Sequence, residues 1–487
     1  MKQNLAFLKS LFGVLLFASL FTCSPNDESD LANDRYVNKW IYNNMSDYYL
    51  WNDKIPSSPN YNVSPDIFFK SICYWYNKDT NPDGDRFSWI QNNYQDLLNY
   101  LNGVANDEIG FEYKLYKLSE NSAAVLGEIL YVKPGTSAEK SEVKRGQVFT
   151  EINNTPLTES NYKSVLNGVK GNYTLSLHDY DGEELSEKKV VPLSTVSQYN
   201  ENPIYFNTVY DYDGKKIAYL VYNFFAGDNN NGTYNYDRQL AQIFNDFKSQ
   251  NVTSLILDFR YNSGGSVSSA IVLASMIVKN FSDKNIFYTL KCNAKYEAYI
   301  LKNFNKEYFN QYFTKEIAQT STPLPNIGEN LQQFYILTGD HTASASELII
   351  NGLKPYMDIT LIGSTTIGKN VGSISLYERN NKKNKWGMQP IVFKTYNKDG
   401  QSDFTAGFAP DIENKDMALP KKELGDPEEA LLSEAIALIT KTSPARAKQQ
   451  GAERVSYQKS VFSSLENKPW RNIVIVNTLD VEPLVME

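Results

Sequence analysis

At 487 residues, with 41% hydrophobic and 21% charged side chains, the chain is too long for one ordinary core and too apolar for wholesale disorder. A formal net charge of −8 at pH 7 leaves no basic footprint for nucleic acid, so none is expected as a partner. Three cysteines cannot build a disulfide framework, and two histidines without an HExxH pattern argue against a zinc hydrolase; no metal or cofactor is expected.

The chain opens MKQNLAFLKSLFGVLLFASLFTCSPNDESD, with Lys2 and Lys9 ahead of an uncharged run that is too short for a mature membrane span. Residues 1–22 read as a secretory signal. Because Leu20-Phe21-Thr22-Cys23 closes the run, the segment resembles a bacterial lipobox, which implies lipidation at Cys23. The acidic run Ser24–Asp30 resembles an export signal for the outer face of the outer membrane. A protein of the Gram-negative envelope, lipid-anchored to the outer membrane, is therefore expected, with the acidic run pointing to exposure at the cell surface. Cys73 and Cys292 remain, and two buried thiols are a better reading than one bridge.

Residues 23–105 read as a tether and a small helical region. Val37, Trp40, Ile41, Met45 and Tyr48 recur at helical spacing, and further helices are expected in DIFFKSICYWY and YQDLLNYLNG. From 106 to 197 the pattern changes to short β-like runs, IGFEYKLY, AAVLGEILYV and NYTLSLHDY, separated by turn residues. This stretch resembles a PDZ domain: Ile109-Gly110-Phe111 fits the loop whose amides hold a ligand's terminal carboxylate in that family, and INNTPL fits a family turn. Gln147 departs from the usual Asp. Binding of protein or peptide C-termini by strand addition is what the resemblance implies.

From 198 to 442 apolar strands alternate with helices: KIAYLVYNF, YDRQLAQIFNDFKSQ, SLILDF, SVSSAIVLASMIV, FYILTG, ASELIINGL and ITLIG. Strands without internal alternation, separated by amphipathic helices, imply a largely parallel sheet covered on both faces, with its site beyond the carboxyl ends of the strands. Residues 443–487 read as a polar tail. The fold class is thus α/β and multidomain.

Three strand ends carry chemistry: FYILTG leads to DHTASASE, ITLIG to STTIGK and SLILDF to RYNSGGS. Parallel strands would open all three loops on one edge. Ser344 at a helix start is a candidate nucleophile that needs a base. His178 lies in a strand and His341 in a turn, both more simply structural. Lys369 becomes a base if burial disfavours its charge. The Ala345 amide, and that of Gly264 or Gly265, are candidate oxyanion donors.

Together these residues resemble the carboxyl-terminal processing (tail-specific) serine peptidases. That family places its nucleophile in a Ser-Ala-Ser-Glu-like block and its lysine 25 residues later, the interval between Ser344 and Lys369. LDFRYNSGG at 257–265 and GFAPD at 407–411 match two further blocks. The resemblance implies a ClpP/crotonase-like catalytic domain, a Ser344–Lys369 dyad, and protein or peptide substrates. It leaves oligomeric state open. One departure matters: the Gln or Glu that commonly orients the lysine is replaced by Ser373, with Ser375 as a shifted alternative, which leaves an inactive surface binding protein as the other reading. Ser346 and Glu347 are expected to support the helix start.

Overall fold

The computed structural model describes residues 25–442, 460–466 and 474–475 except 120, 142, 182–183, 230–234, 319 and 418, with backbone alone at 25–30 and 474–475. The expected signal and Cys23 lie outside these residues. Among the described residues no helix is long and apolar enough to cross a membrane, and no group of His, Cys, Asp and Glu is placed to hold a metal ion.

The helical opening forms where the aromatic stripe requires it: α1 (Pro25–Tyr48), α2 (Pro65–Ile72) and α3 (Tyr94–Leu101). Pro65 opens α2, where a missing N–H leaves no bond unmade, and the Asn93 side chain caps the Gln95 amide of α3. Val37, Ile41, Met45 and Tyr48 are fully buried, in one core with Ala218, Leu220, Leu255 and Leu257 of the central sheet. This region is therefore a cover on the α/β domain. Cys73 and Cys292 are both free and half-buried, and burial pushes the Cys292 thiol up to about 12.

A β-rich unit follows: β1 (Phe111–Lys117), β2 (Val125–Val132), β3 (Val148–Ile152), α4 (Tyr162–Asn167), β4 (Asn172–His178) and β5 (Lys189–Ser194). Its strands pair antiparallel in chain order. Phe111, Leu115, Ile129, Phe149 and Leu175 form a core of its own.

The α/β domain contains β6 (Ile204–Tyr212), β7 (Lys215–Tyr222), α5 (Tyr236–Ser249), β8 (Ser254–Asp258), β9 (Gly265–Ser266), α6 (Val267–Ile277), β10 (Ile286–Cys292), β11 (Gln333–Thr338), α7 (Ala345–Leu353), β12 (Thr360–Gly363), β13 (Val371–Ser373), β14 (Ile391–Tyr396), β15 (Ile412–Glu413) and α8 (Ala430–Thr440). Its central sheet runs β6-β7-β8-β11-β12-β15, parallel from β7 onward, as the uninterrupted apolar strands predict. The β8, β11 and β12 neighbours thus end side by side, and their three chemistry-bearing loops share one edge.

The tail is where the structure departs from the sequence reading. Within 443–487, β16 (Ser460–Ser463) pairs antiparallel with β1, and β17 (Val474–Ile475) lies parallel between β9 and β13. Strands of two and four residues carry too little periodicity to be read locally; open edges elsewhere in the chain create them.

A buried ionic network joins the β-rich unit to the α/β domain. Arg145 Nη2 lies 2.7 Å from Asp416 and 3.4 Å from Glu429, while Arg260 Nη1 lies 2.6 Å from Glu429. Arg260 also grips Asp258, so the charged residues of LDFRYN face into this network. Removing one member strands buried carboxylates, so Arg145→Ala is expected to destabilise the folded chain by about 3–5 kcal/mol, read as a lower urea midpoint.

Candidate active site

Ser344 sits at the turn between β11 and α7 with φ +61° and ψ −115°, a backbone setting that non-glycine residues adopt at a cost of about 1–3 kcal/mol. Such a sharp strand-to-helix turn holds the hydroxyl at the strand ends. What maintains it is Glu347, three residues on and fully buried: its Oε2 accepts the Ser344 amide at 2.9 Å. The same Oε2 accepts the Lys369 amide at 2.7 Å, and Oε1 accepts the Gly368 amide at 2.7 Å and the Thr366 hydroxyl. One carboxylate therefore fixes the backbone of both members of the expected dyad. Burial raises its pKa and these hydrogen bonds oppose that rise.

Lys369 is buried, and desolvation lowers its pKa to about 7, against the opposing pull of Asp85 and Glu347; Arg86 adds to the depression. The Nζ lies 4.9 Å from the centre of the Phe87 ring. Neither Nζ nor the Ser344 hydroxyl makes a hydrogen bond with any described residue, so Ser373 does not hold the lysine here, and His341 does not reach the serine. His178 bonds Thr150 and the Ser186 carbonyl, far from this edge in the β-rich sheet. Ser375 is engaged by the Gln389 side-chain amide.

The wall around the lysine comes from a loop that carries no motif. Arg86 Nη2 donates to the Gly368 carbonyl at 2.6 Å and the Thr405 carbonyl at 3.1 Å, and Asp85 is held by the Tyr49 hydroxyl at 2.8 Å. Burial lowers the Arg86 pKa while Glu347 opposes it. The GFAPD block packs behind: the Phe408 amide donates to Thr366 Oγ1 at 2.8 Å, and the Leu361 amide to Asp411 at 2.8 Å.

The glycine-rich loop packs against Ser344, and its two glycine amides face different partners. A Cβ on Gly264 would stand 2.5 Å from the Ser344 Cβ, and the φ is +108°. Its amide, however, donates to Asn262 Oδ1 at 2.9 Å, which removes Gly264 from the expected oxyanion donors. Asn262 folds its side chain back onto its own loop, a local competition the motif does not reveal. Gly265 differs: on its Phe225 side the ladder uses the Gly264 carbonyl and the Ser266 amide. Strand alternation therefore turns the Gly265 amide to the opposite side, toward β17, which pairs with β9 there. The Ala345 amide opens α7, where helix geometry leaves first-turn donors without an intrahelical acceptor. Ser346 donates to the Asn262 carbonyl at 3.1 Å and ties the loop to α7.

A model of peptidase family S41 matches residues 216–414, and one of the S41 N-terminal domain matches residues 36–89. The chain belongs to peptidase family S41. A crystal structure of a protein assigned to the S41 proteases of Bacteroides fragilis is similar with a TM-score of 0.62 and 27% identity, over 82% of this chain and 97% of that one. A carboxyl-terminal-processing protease of Picosynechococcus is 24% identical over 251 residues, half of each chain. A Staphylococcus aureus protein named as a CtpA-like serine protease is 24% identical over 55% of this chain and 46% of its own. The chain spans about half the length of these curated relatives. The S41 N-terminal match runs from 36 to 89 and so contains both α1 from Tyr36 onward and the Asp85–Phe87 wall.

At the β-rich unit the Ile109–Phe111 loop holds its amides differently from the expectation. The Gly110 amide donates to Glu108 Oε1 at 2.9 Å, and the Ile109 carbonyl accepts the Tyr173 hydroxyl at 2.6 Å. Lys133, buried nearby, faces Glu108, Glu112 and Glu201 together. Three carboxylates against one ammonium make the loop a poor receiver for another carboxylate. The edge of β1, by contrast, is paired with β16.

Two outcomes follow from the buried charges. Glu347→Gln turns one of the two oxygen positions into a donor facing other donors; fluorophosphonate labelling of Ser344 is expected to slow about 100-fold in a folded chain. Lys369→Met removes an ammonium that the fold desolvates. The unfolded wild type binds more protons than the folded one between about pH 7 and the ordinary lysine value. The wild type therefore gains stability as pH rises through that window, and Lys369→Met should be more stable by about 2–5 kcal/mol near pH 6, an advantage that shrinks toward pH 10 in denaturation experiments.

Proposed function

We propose that this S41 chain is a serine endopeptidase in which Ser344 attacks a peptide carbonyl and Lys369 is the general base. The observation that carries the reading is a buried lysine with a pKa near 7, fixed through Glu347 to the backbone of a strained serine. A neutral Lys369 amine takes the Ser344 proton as the C–O bond forms. The Ala345 and Gly265 amides stabilise the oxyanion. The C–N bond breaks as the protonated lysine returns its proton to the leaving amine, and water, deprotonated by the regenerated neutral Lys369, releases the acyl group from Ser344.

The inactive binding-protein reading rests on Ser373 replacing a lysine-orienting Gln or Glu. Desolvation, the Phe87 face and the Glu347 clamp supply the same two requirements, a neutral amine and a fixed backbone, without that side chain. For the β-rich unit we propose a PDZ-like role in holding extended polypeptide by addition to β1. The Glu108 carboxylate at Gly110 favours recognition of the strand over recognition of a terminal carboxylate. Lipid attachment at Cys23, with placement at the outer membrane, completes the proposal and is supported by the leader sequence.

A Ser344→Ala chain should fold and lose both fluorophosphonate labelling and peptide hydrolysis; labelling that persists would refute the nucleophile assignment. Because only the neutral amine is a base, kcat/KM should rise about tenfold per pH unit below pH 7 and level above it. An optimum near pH 5 would remove Lys369 from that role.

A further inference from the structure

The β17 strand occupies an unusual place. On one side lies β9, whose preceding residue, Gly264, packs on Ser344; on the other lies β13, which begins two residues after Lys369. Neighbouring strands stand about 4.8 Å apart, so the space between β9 and β13 is a slot about 10 Å wide, room for one extended chain. One wall continues the glycine-rich loop that packs on Ser344, and the other begins just after Lys369. Gly265 pairs with Val474, Ser266 and Ser373 with Ile475, and the Gly265 amide turns toward this slot.

The other described part of the tail occupies a second peptide-width groove. β16 adds to the edge of β1 with Ser460 opposite Tyr116, Phe462 opposite Leu115 and Ser463 opposite Lys114. Phe462 inserts between Tyr113 of β1 and Tyr162 of α4, at ring-centre distances of 6.3 and 5.7 Å. Ser464 then accepts the Tyr113 amide at 2.8 Å and the chain turns away as a 3-10 helix, Ser464–Glu466. The direction is toward the Ile109–Phe111 loop.

We propose that Ser460–Glu466 and Val474–Ile475 are a tethered ligand of two strand-addition sites: an apolar groove on the β-rich unit, and the slot between β9 and β13, the strands that follow Gly264 and Lys369. The docking stands on strand pairing alone; its consequence, inhibition, rests on the peptidase reading. An extended polypeptide is the ligand class for both sites, and substrate must displace β17 to reach the dyad. Tethering gives the tail an effective concentration near the millimolar range, so weak pairing suffices.

The full chain carrying Val461→Asp and Phe462→Asp, and separately Ile475→Pro, tests this. The first pair places charge between two tyrosine rings; the second removes the amide that a central strand uses. Each is expected to raise hydrolysis of fluorescein-labelled casein about tenfold, chiefly through a lower KM. A synthetic peptide of residues 460–475 should restore inhibition competitively. Variants that still label at Ser344 with fluorophosphonate but hydrolyse casein no faster than the parent would overturn the proposal. If neither parent nor variants label or hydrolyse, the peptidase reading fails by itself. The docking is then read by fluorescence polarisation of the labelled 460–475 peptide on the Val461→Asp, Phe462→Asp chain carrying Ser344→Ala: saturable binding supports it, and no binding overturns it.

Discussion

The site depends on one buried carboxylate. Glu347 reaches two separate turns, after β11 and after β12, and its two oxygens hold the amides of Ser344, Gly368 and Lys369. A carboxylate buried this deeply is costly unless its lone pairs are filled, and backbone donors fill them without adding a titrating partner. The result is a rigid link between the Ser344 turn and the Lys369 turn that uses neither side chain. The Ser344 hydroxyl and the Lys369 amine stay available for chemistry because their main chains, not their heads, are tied.

That arrangement demands a dry lysine, and the helical cover supplies the dryness. Phe87 closes over Nζ and Arg86 seals the loop by bonding the Gly368 and Thr405 carbonyls. Arg86 also adds positive charge nearby, which pushes Lys369 further toward its neutral form. The cover is held in turn by α1, whose apolar stripe is continuous with the core of the parallel sheet. Packing some distance away thus contributes to the desolvation that lowers the Lys369 pKa.

The two halves of the molecule meet through charges of another kind. Arg145, Arg260, Asp416 and Glu429 are buried and mutually paired, so the network favours one relative placement of the β-rich unit and the α/β domain. With that placement set, Ser460–Ser463 pairs with β1 on one unit and Val474–Ile475 lies between β9 and β13 on the other.

The sequence by itself determined the local periodicities and the short motifs: helices around α1 to α3, the antiparallel unit, the parallel strands β7, β8, β11 and β12, and Ser344 and Lys369 at an interval of 25 residues. These are legible because apolar pattern and turn residues act over a few positions. Only the tertiary structure decided that Asn262 consumes the Gly264 amide, that Asp85–Phe87 walls the lysine, and that Ser373 makes no hydrogen bond to Lys369 Nζ. It also decided that two short tail segments become strands. In each case the partner lies on another loop or a distant segment, and hydrogen bonding and desolvation depend on proximity in space, which local sequence pattern does not encode.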